Sequence, residues 1–253
     1  MCGRFVITSP PSAVRGVFEY SETPNFPAQH NIAPTQPVAV VLAEQGARHF
    51  RLMRWGFIPS WVKDPRTFTL VINARAETIK EKPAFRNAIR RRRCLIPADG
   101  YYEWQSVAGQ KYPYFIYPRR GGPIGFAGVA ETWCGPNGEE VDTVAIITAA
   151  AKGGLASLHH RVPVTIAPTQ FARWLDCAEV NADEAASLLV APADDAFDWH
   201  RVSREVNRVG NDDPVLIQPL SEQQIAAEAQ PAKTKHTPRK PAAADDDRQG
   251  SLF

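Results

Sequence analysis

The chain has 253 residues, 44% of them hydrophobic and 22% charged, and a formal charge of only +2. That is the composition of a globular protein, one large domain or two small ones, with a core of its own; any anionic partner must be met by a local basic patch. Cys2, Cys94, Cys134 and Cys177 are far apart, with no CxxC pair and no clustering with histidines, which argues against a disulfide scaffold and against a metal site. No apolar run approaches the roughly 20 residues of a membrane span, and the start has no basic-then-apolar leader. The expectation is a reduced, cytoplasmic protein.

The sequence opens MCGRFVI, with a cysteine at position 2. Strand-like runs follow at PVAVVLA (37–43), FTLVINA (68–74), RCLIPADGYYEW (93–104), YPYFIYP (112–118), GFAGVAETW (125–133), TVAIITAA (143–150) and RVPVTIA (161–167). Most are rich in β-branched and aromatic residues and are bounded by Gly, Pro, Asn or Asp. Helical patterns are fewer. AETIKEKPAFRNAIRRR begins as a helix that Pro83 interrupts, PTQFARWLD carries an apolar stripe at Phe171, Trp174 and Leu175, and NADEAASLLVAP has Asn181 or Asp183 as its cap. Many strands with few, irregular helices predict an α+β fold of largely antiparallel sheet around a barrel-like core, with helices at its periphery. This domain spans 1–221. From Glu222 to Phe253 the sequence is Ala, Pro and charge with almost no large apolar residue, which predicts a disordered tail.

Removal of Met1 would leave Cys2 with a free α-amine beside its thiol. The amine, with an ordinary pKa near ~7.7–8.0, condenses with an aldehyde to an imine, and the neighbouring thiol can then close a thiazolidine ring. The competing reading is a small residue at the start of a first strand. Asn73 and Arg75 in VINARAET lie two apart and share a strand face, where an Asn can hold a polar intermediate and an Arg a phosphate. Glu103 stands between Tyr102 and Trp104, a setting that desolvates a carboxylate and suits acid–base work. His159 and His160 precede Arg161; on a strand only one of them faces a site, where an imidazole moves protons at neutral pH. Each octet, taken alone, also fits solvated polar residues at a strand end. Arg4, Arg54, Arg75, Arg86, the run Arg90–Arg93 and Arg161 are interleaved with Trp55 and Trp61, the composition of a surface that binds single-stranded nucleic acid.

Together these segments resemble the SOS response-associated peptidase (SRAP) family of abasic-site processing proteins. The resemblance lies in MCGRF, NIAPTQ (31–36), RWGFIPSW (54–61), NARAET (73–78), RRCLIPADGYYEW (92–104), FAG (126–128), the HxRxP-like segment at His159–Pro163, and Val206, Asn207, Asn211 and Asp212. It implies the SRAP fold and a protein that binds abasic single-stranded DNA and crosslinks to the opened sugar through Cys2 as a thiazolidine. Asn73 would position the Cys2 backbone, Glu103 would act as acid and base in imine chemistry and crosslink reversal, and His159 would manage protons on the sugar. Arg4, Arg75 and Arg161 would hold phosphates; the basic and aromatic composition adds Trp55, Trp61 and Arg86 to the expected DNA-binding set. A hydrolase or lyase activity, self-processing at the residue before Cys2, a monomer and a place at the nucleoid are the further expectations, with no cofactor and no metal. The chain departs from the family pattern at His30, Val162 and Ala151. The terminal QGSLF resembles the bacterial sliding-clamp-binding pentapeptide, with Gln249, Leu252 and Phe253 as its contacts. Two rival functions remain: a thiol peptidase acting in trans with Cys2 as nucleophile and His159 as base, and a non-covalent single-strand-binding module.

Overall fold

The structure, a computed structural model, describes residues 2–229. The chain divides into a unit ending at Leu220 and a second beginning at Ser221. In chain order the first unit contains β1 (Arg4–Ile7), α1 (Pro11–Phe18), β2 (Gln29–Ile32), β3 (Pro37–Glu44), β4 (Ala47–Trp55), β5 (Asn73–Arg75), α2 (Ala88–Arg91), β6 (Arg93–Ala98) and β7 (Gly100–Val107). Then come β8 (Gln110–Pro118), β9 (Ile124–Cys134), β10 (Glu140–Ala150), β11 (Arg161–Pro163), β12 (Thr165–Ile166), α3 (Phe171–Leu175), α4 (Ala182–Ala186) and β13 (Phe197–Arg201). The expected α+β class and barrel-like core are present.

Five strands close on themselves. Neighbour follows neighbour as β10–β4–β3–β6–β9, and β9 pairs back onto β10 from Glu140↔Cys134 to Ile146↔Gly128. All of these pairings are antiparallel except β10–β4, which is parallel at Thr143↔Arg54 and Val144↔Trp55. Closure leaves the ring without an open edge. Its apolar side chains, among them Val41, Leu95, Ile96, Ala127 and Ile146, are buried. Beyond the β4 pairing, the same strand β10 takes β5 as a parallel neighbour, at Ile146↔Asn73, Ile147↔Ala74 and Thr148↔Arg75. A second, antiparallel sheet runs β13–β8–β7–β1–β2.

The chain passes from barrel to second sheet at Asp99. Its carboxylate accepts the Thr8 and Ser9 backbone N–H groups at 2.6 Å each and the Ser9 hydroxyl at 2.6 Å, so the turn is tied to the end of β1. RCLIPADGYYEW, expected as one run, is therefore two strands in two sheets. FTLVINA is likewise extended only at its end. Before β5 its ladder is reduced to the bridge Phe57↔Val71, and the 56–72 loop is held by a small cluster of Ile58, Val62 and Trp133, whose Nε1 donates to the Val62 carbonyl at 2.6 Å. The segment expected as strand 161–167 breaks at Val164, whose N–H bonds to Ile147 and whose carbonyl bonds to Ala127. Pro83 does interrupt its helix, leaving a 3₁₀ turn at Ala76–Thr78 and the short α2. Asn181 caps α4 in a reciprocal box with Glu184.

In the second unit, Glu222–Ala229 form helix α5, where the composition predicts disorder. Ser221 and Gln224 supply the reason: the Gln224 side chain accepts from the Ser221 N–H at 2.9 Å while the Ser221 hydroxyl accepts from the Gln224 N–H, a capping box before a run of good helix formers. Gln249, Leu252 and Phe253 lie outside the described residues. Among the described residues no helix is long and apolar enough to cross a membrane, and no cluster of His, Cys, Asp and Glu could hold a metal ion.

Gly100 fixes how tightly β7 sits between β1 and β8. A Cβ there would lie 2.6 Å from the Phe115 ring and 2.7 Å from the Ile116 carbonyl oxygen, and the backbone contact cannot be relieved by a rotamer change. Gly100→Ala should therefore lower stability by about 1–3 kcal/mol, read as a lower urea midpoint; an unchanged midpoint would mean that the two strands can separate at little cost.

Candidate active site and nucleic-acid interface

Cys2 lies just before β1 and is fully buried. The Asn73 Nδ2 donates to its carbonyl oxygen at 2.9 Å. This contact follows from topology: β10 draws β5 alongside it and so carries Asn73 to the start of the chain. Burial pushes the Cys2 thiol well above its ordinary pKa, and the charge of Glu103 adds to the shift. A backbone hydrogen bond to Arg4 and a positive charge act weakly the other way.

Glu103 reaches this point because of strand register. Tyr102 pairs with Arg4 and Tyr101 with Phe5. Glu103 thus stands one residue beyond the paired end of β1, on the same face of β7 as Tyr101. It is buried, its Oε1 accepts from the Trp104 N–H at 3.3 Å, and its Oε2 is 3.7 Å from His159 Nδ1. The backbone N–H of Arg161 approaches His159 Nδ1 at 3.1 Å. A backbone N–H can only donate, so a ring that carries its proton on Nε2 accepts it at Nδ1. Protonated at Nδ1, the ring instead faces the Arg161 carbonyl at 3.2 Å and the Glu103 carboxylate. Two buried polar atoms nearby have no hydrogen-bond partner, Asn73 Oδ1 and the Tyr101 hydroxyl. Burial holds the latter well above the usual tyrosine pKa, with Cys2 and Glu103 as the charges that add to the effect.

Two openings meet these residues. One, of about 680 Å³, is lined by Glu103, Trp104, Lys111, His159 and Asn207, with Trp104 Nε1 bonded to Asn207 Oδ1 at 2.8 Å. The other, of about 710 Å³, is an apolar groove that includes Trp61, Phe68, Asn73, Arg75, Lys82 and Phe85. Trp61 is 60% exposed and stands edge-on to Phe68 at 5.7 Å. Arg75 and Arg86 are exposed.

The other basic and aromatic candidates are engaged by the protein itself. Trp55 has no exposed surface; it packs on Phe5 at 5.2 Å and donates to the Ile72 carbonyl, so the expectation that it contacts DNA is corrected. The difference from Trp61, six residues on, is that Trp55 closes the barrel on β4. Arg4 is half-buried and bonds to Asn31 Oδ1 at 2.7 Å and the Val206 carbonyl at 2.8 Å. Asn31 in turn donates to the carbonyls of Val206, Arg208 and Asn211, which ties the start of NIAPTQ to the 206–212 segment. Arg161 is buried and forks onto Glu77 at 2.6 and 2.9 Å, with Thr148 taking its remaining bonds, so a phosphate could reach it only by displacing Glu77. Glu77 and Thr148 were not singled out in the sequence. NARAET contains Glu77, but its partner is 84 residues away.

A closed antiparallel-rich barrel with a buried thiol, an amide on its carbonyl, and a carboxylate and imidazole beside it defines a thiol site opening onto an aromatic, basic groove. Residues 1–209 match the family model described as SOS response associated peptidase (SRAP), and the chain belongs to that family. Among its relatives are the abasic site processing protein YoqW of Bacillus subtilis, 33% identical over 86% of this chain and 99% of that one, and the abasic site processing protein YedK of Escherichia coli, 31% identical over 87% and 100%. A crystal structure of a protein from Bacteroides thetaiotaomicron superposes with a TM-score of 0.77 at 26% identity, covering 87% of this chain and all of that one.

Hydrogen bonds from Arg161 hold the Glu77 carboxyl at about 2, down from the ordinary 4.5. A carboxyl depressed on folding stabilises the protein above its unfolded pKa, and that contribution is lost as pH falls through the folded value. The stability gap between the parent and Glu77→Gln should thus be constant from neutrality to about 4.5 and close between 4.5 and 2, in urea titrations across that range. Glu77 is half-exposed, so the gap should be about 1 kcal/mol or less. A gap that persists to the lowest pH would contradict the pairing.

Proposed function

We propose that this protein senses abasic sites in single-stranded DNA and captures them covalently through Cys2 after removal of Met1. The names of its relatives support abasic-site processing, and the single observation that carries the covalent reading is the bond from Asn73 to the Cys2 carbonyl. It pins the backbone of the one residue whose amine and thiol could act together.

The Cys2 amine attacks C1′ of the opened sugar and forms a carbinolamine. Glu103 relays a proton from the carbinolamine nitrogen to the departing hydroxyl, and one water leaves as the imine forms. The Cys2 sulfur then adds to the imine carbon while its proton passes to the nitrogen, closing the thiazolidine. Before the amine attacks, the cyclic sugar opens: C1′–O4′ breaks as O4′ takes a proton from His159 and the C1′ hydroxyl returns one to it, leaving the imidazole unchanged. Reversal runs the same steps backwards through Glu103. Trp61 stacks on a base and Arg75 and Arg86 meet phosphates, the two contributions of a single-strand surface. Arg4 and Arg161, engaged by Asn31 and by Glu77, hold the surrounding segments in place.

The raised thiol pKa favours this order of events. A thiol peptidase needs a thiolate, and reactive thiolates sit where neighbours lower their pKa; the buried Cys2 thiol is pushed the other way, with a carboxylate adding to the shift. Sulfur attack that follows imine formation does not need a standing thiolate. The sliding clamp is proposed as a partner on sequence alone, through Gln249, Leu252 and Phe253, and deletion of 249–253 should abolish its capture while sparing DNA crosslinking.

The parent protein incubated with abasic single-stranded DNA should give an adduct that survives denaturing electrophoresis. Cys2→Ala, or a form that retains Met1, should give none while still binding intact single strands; an equal adduct from both would refute the aminothiol. Trp61→Ala should weaken non-covalent binding about tenfold, measured by fluorescence anisotropy.

A further inference from the structure

Arg161 looks like a phosphate ligand in the sequence, yet its guanidinium is occupied. Nη1 and Nη2 fork onto Glu77 at 2.6 and 2.9 Å, Nε and Nη2 reach the Thr148 hydroxyl at 3.4 and 3.2 Å, and Nη2 also bonds to the Thr148 carbonyl. A bidentate pair of this kind fixes orientation as well as charge. The same Glu77 Oε1 accepts the backbone N–H of Ala150 at 3.2 Å, and Ala150 is the residue paired with Arg161 across β10 and β11.

Glu77 therefore ties its own turn to two strands at one point. It lies in the turn that follows β5, four residues after Asn73, which holds the Cys2 carbonyl. It closes the end of β10 and grips the first residue of β11. That residue's backbone N–H in turn meets His159 Nδ1. A chain of bonded groups thus runs from Asn73 through β5 to Glu77, across to Arg161, and back to the imidazole. Around that ring stand Glu103 from β7, His160 from the same loop, and Arg161 itself.

We propose that Glu77 is the positioning residue of this site. By locking Arg161 it holds His159 in the Nε2–H form at a fixed place relative to Cys2, and it withdraws Arg161 from direct phosphate binding. The proposal rests on the crosslinking reading only for its kinetic consequence. The tautomer and orientation of His159 are properties of the free protein.

The test uses the full chain with Glu77→Gln, which keeps the shape but loses the charge, and Glu77→Asp, which keeps the charge on a shorter arm. Two readouts are taken. The first is the nitrogen-15 spectrum of the His159 ring in the free protein. The second is the crosslinking rate at saturating abasic single-stranded DNA, set against the dissociation constant for an undamaged strand. In the parent, His159 Nδ1 should show the shift of an unprotonated nitrogen. In Glu77→Gln that signature should move towards exchange between tautomers, and the saturated rate should fall about tenfold with the dissociation constant within twofold of the parent. Glu77→Asp should recover part of both. An unchanged His159 signature in both variants would overturn the proposal, and so would weaker DNA binding with an unchanged saturated rate, which would return Arg161 to the phosphates. A parent that gives no adduct while Glu77→Gln still shifts the ring signature would defeat the crosslinking reading and leave the positioning role standing.

Discussion

Strand β10 has to serve more neighbours than an ordinary strand. Along one edge it pairs with β9 from Glu140 to Ile146 and so closes the barrel; along the other it takes β4 at Thr143 and Val144 and then β5 from Ile146 to Thr148. Its last residues pair with β11. The 56–72 loop, held down by Trp133, carries the chain from β4 to β5 along the second of these edges. The same handover from β4 to β5 brings Asn73 to Cys2 and, through β11, brings His159 to Glu103. One strand both closes the barrel and assembles the site, so the candidate residues lie scattered from position 2 to position 161.

Burial sets the chemistry of the site as firmly as topology does. A thiol at full burial beside a carboxylate is a poor thiolate, so a role for Cys2 must either raise that thiol's reactivity or defer it. An imine formed at the adjacent amine defers it. The unpartnered Asn73 Oδ1 and Tyr101 hydroxyl fit the same view. Each such buried group costs about 1–3 kcal/mol, and a fold tolerates that most readily where a bound group is to be received.

Much of this was legible in the sequence because its signals are local. Position 2 for a cysteine, aromatics either side of Glu103, and the alternation that puts Asn73 and Arg75 on one face need no knowledge of the fold. The Asn181 cap and the Pro83 break are local too. What escaped depends on distant partners. RWGFIPSW presents two tryptophans of equal rank, and only the closure of the barrel buries Trp55 while the loop leaves Trp61 in the groove. Arg161 reads as a free cation until β11 pairs with β10 and Glu77 arrives. FTLVINA has strand composition, but before Asn73 little remains for it to pair with beyond one bridge to Phe57. The helix at Glu222–Ala229 was hidden by the composition of the whole tail, although its capping box is present in four consecutive residues.

Peptide mapping of the DNA adduct by tandem mass spectrometry decides whether the reagent is the amino-terminal aminothiol of Cys2. The modified peptide should begin at Cys2, lack Met1, and carry the sugar remnant less one water, with the linkage unchanged by borohydride because a thiazolidine is not an imine. A remnant on a lysine side chain such as Lys82 or Lys111, or on a peptide that still begins with Met1, would contradict it.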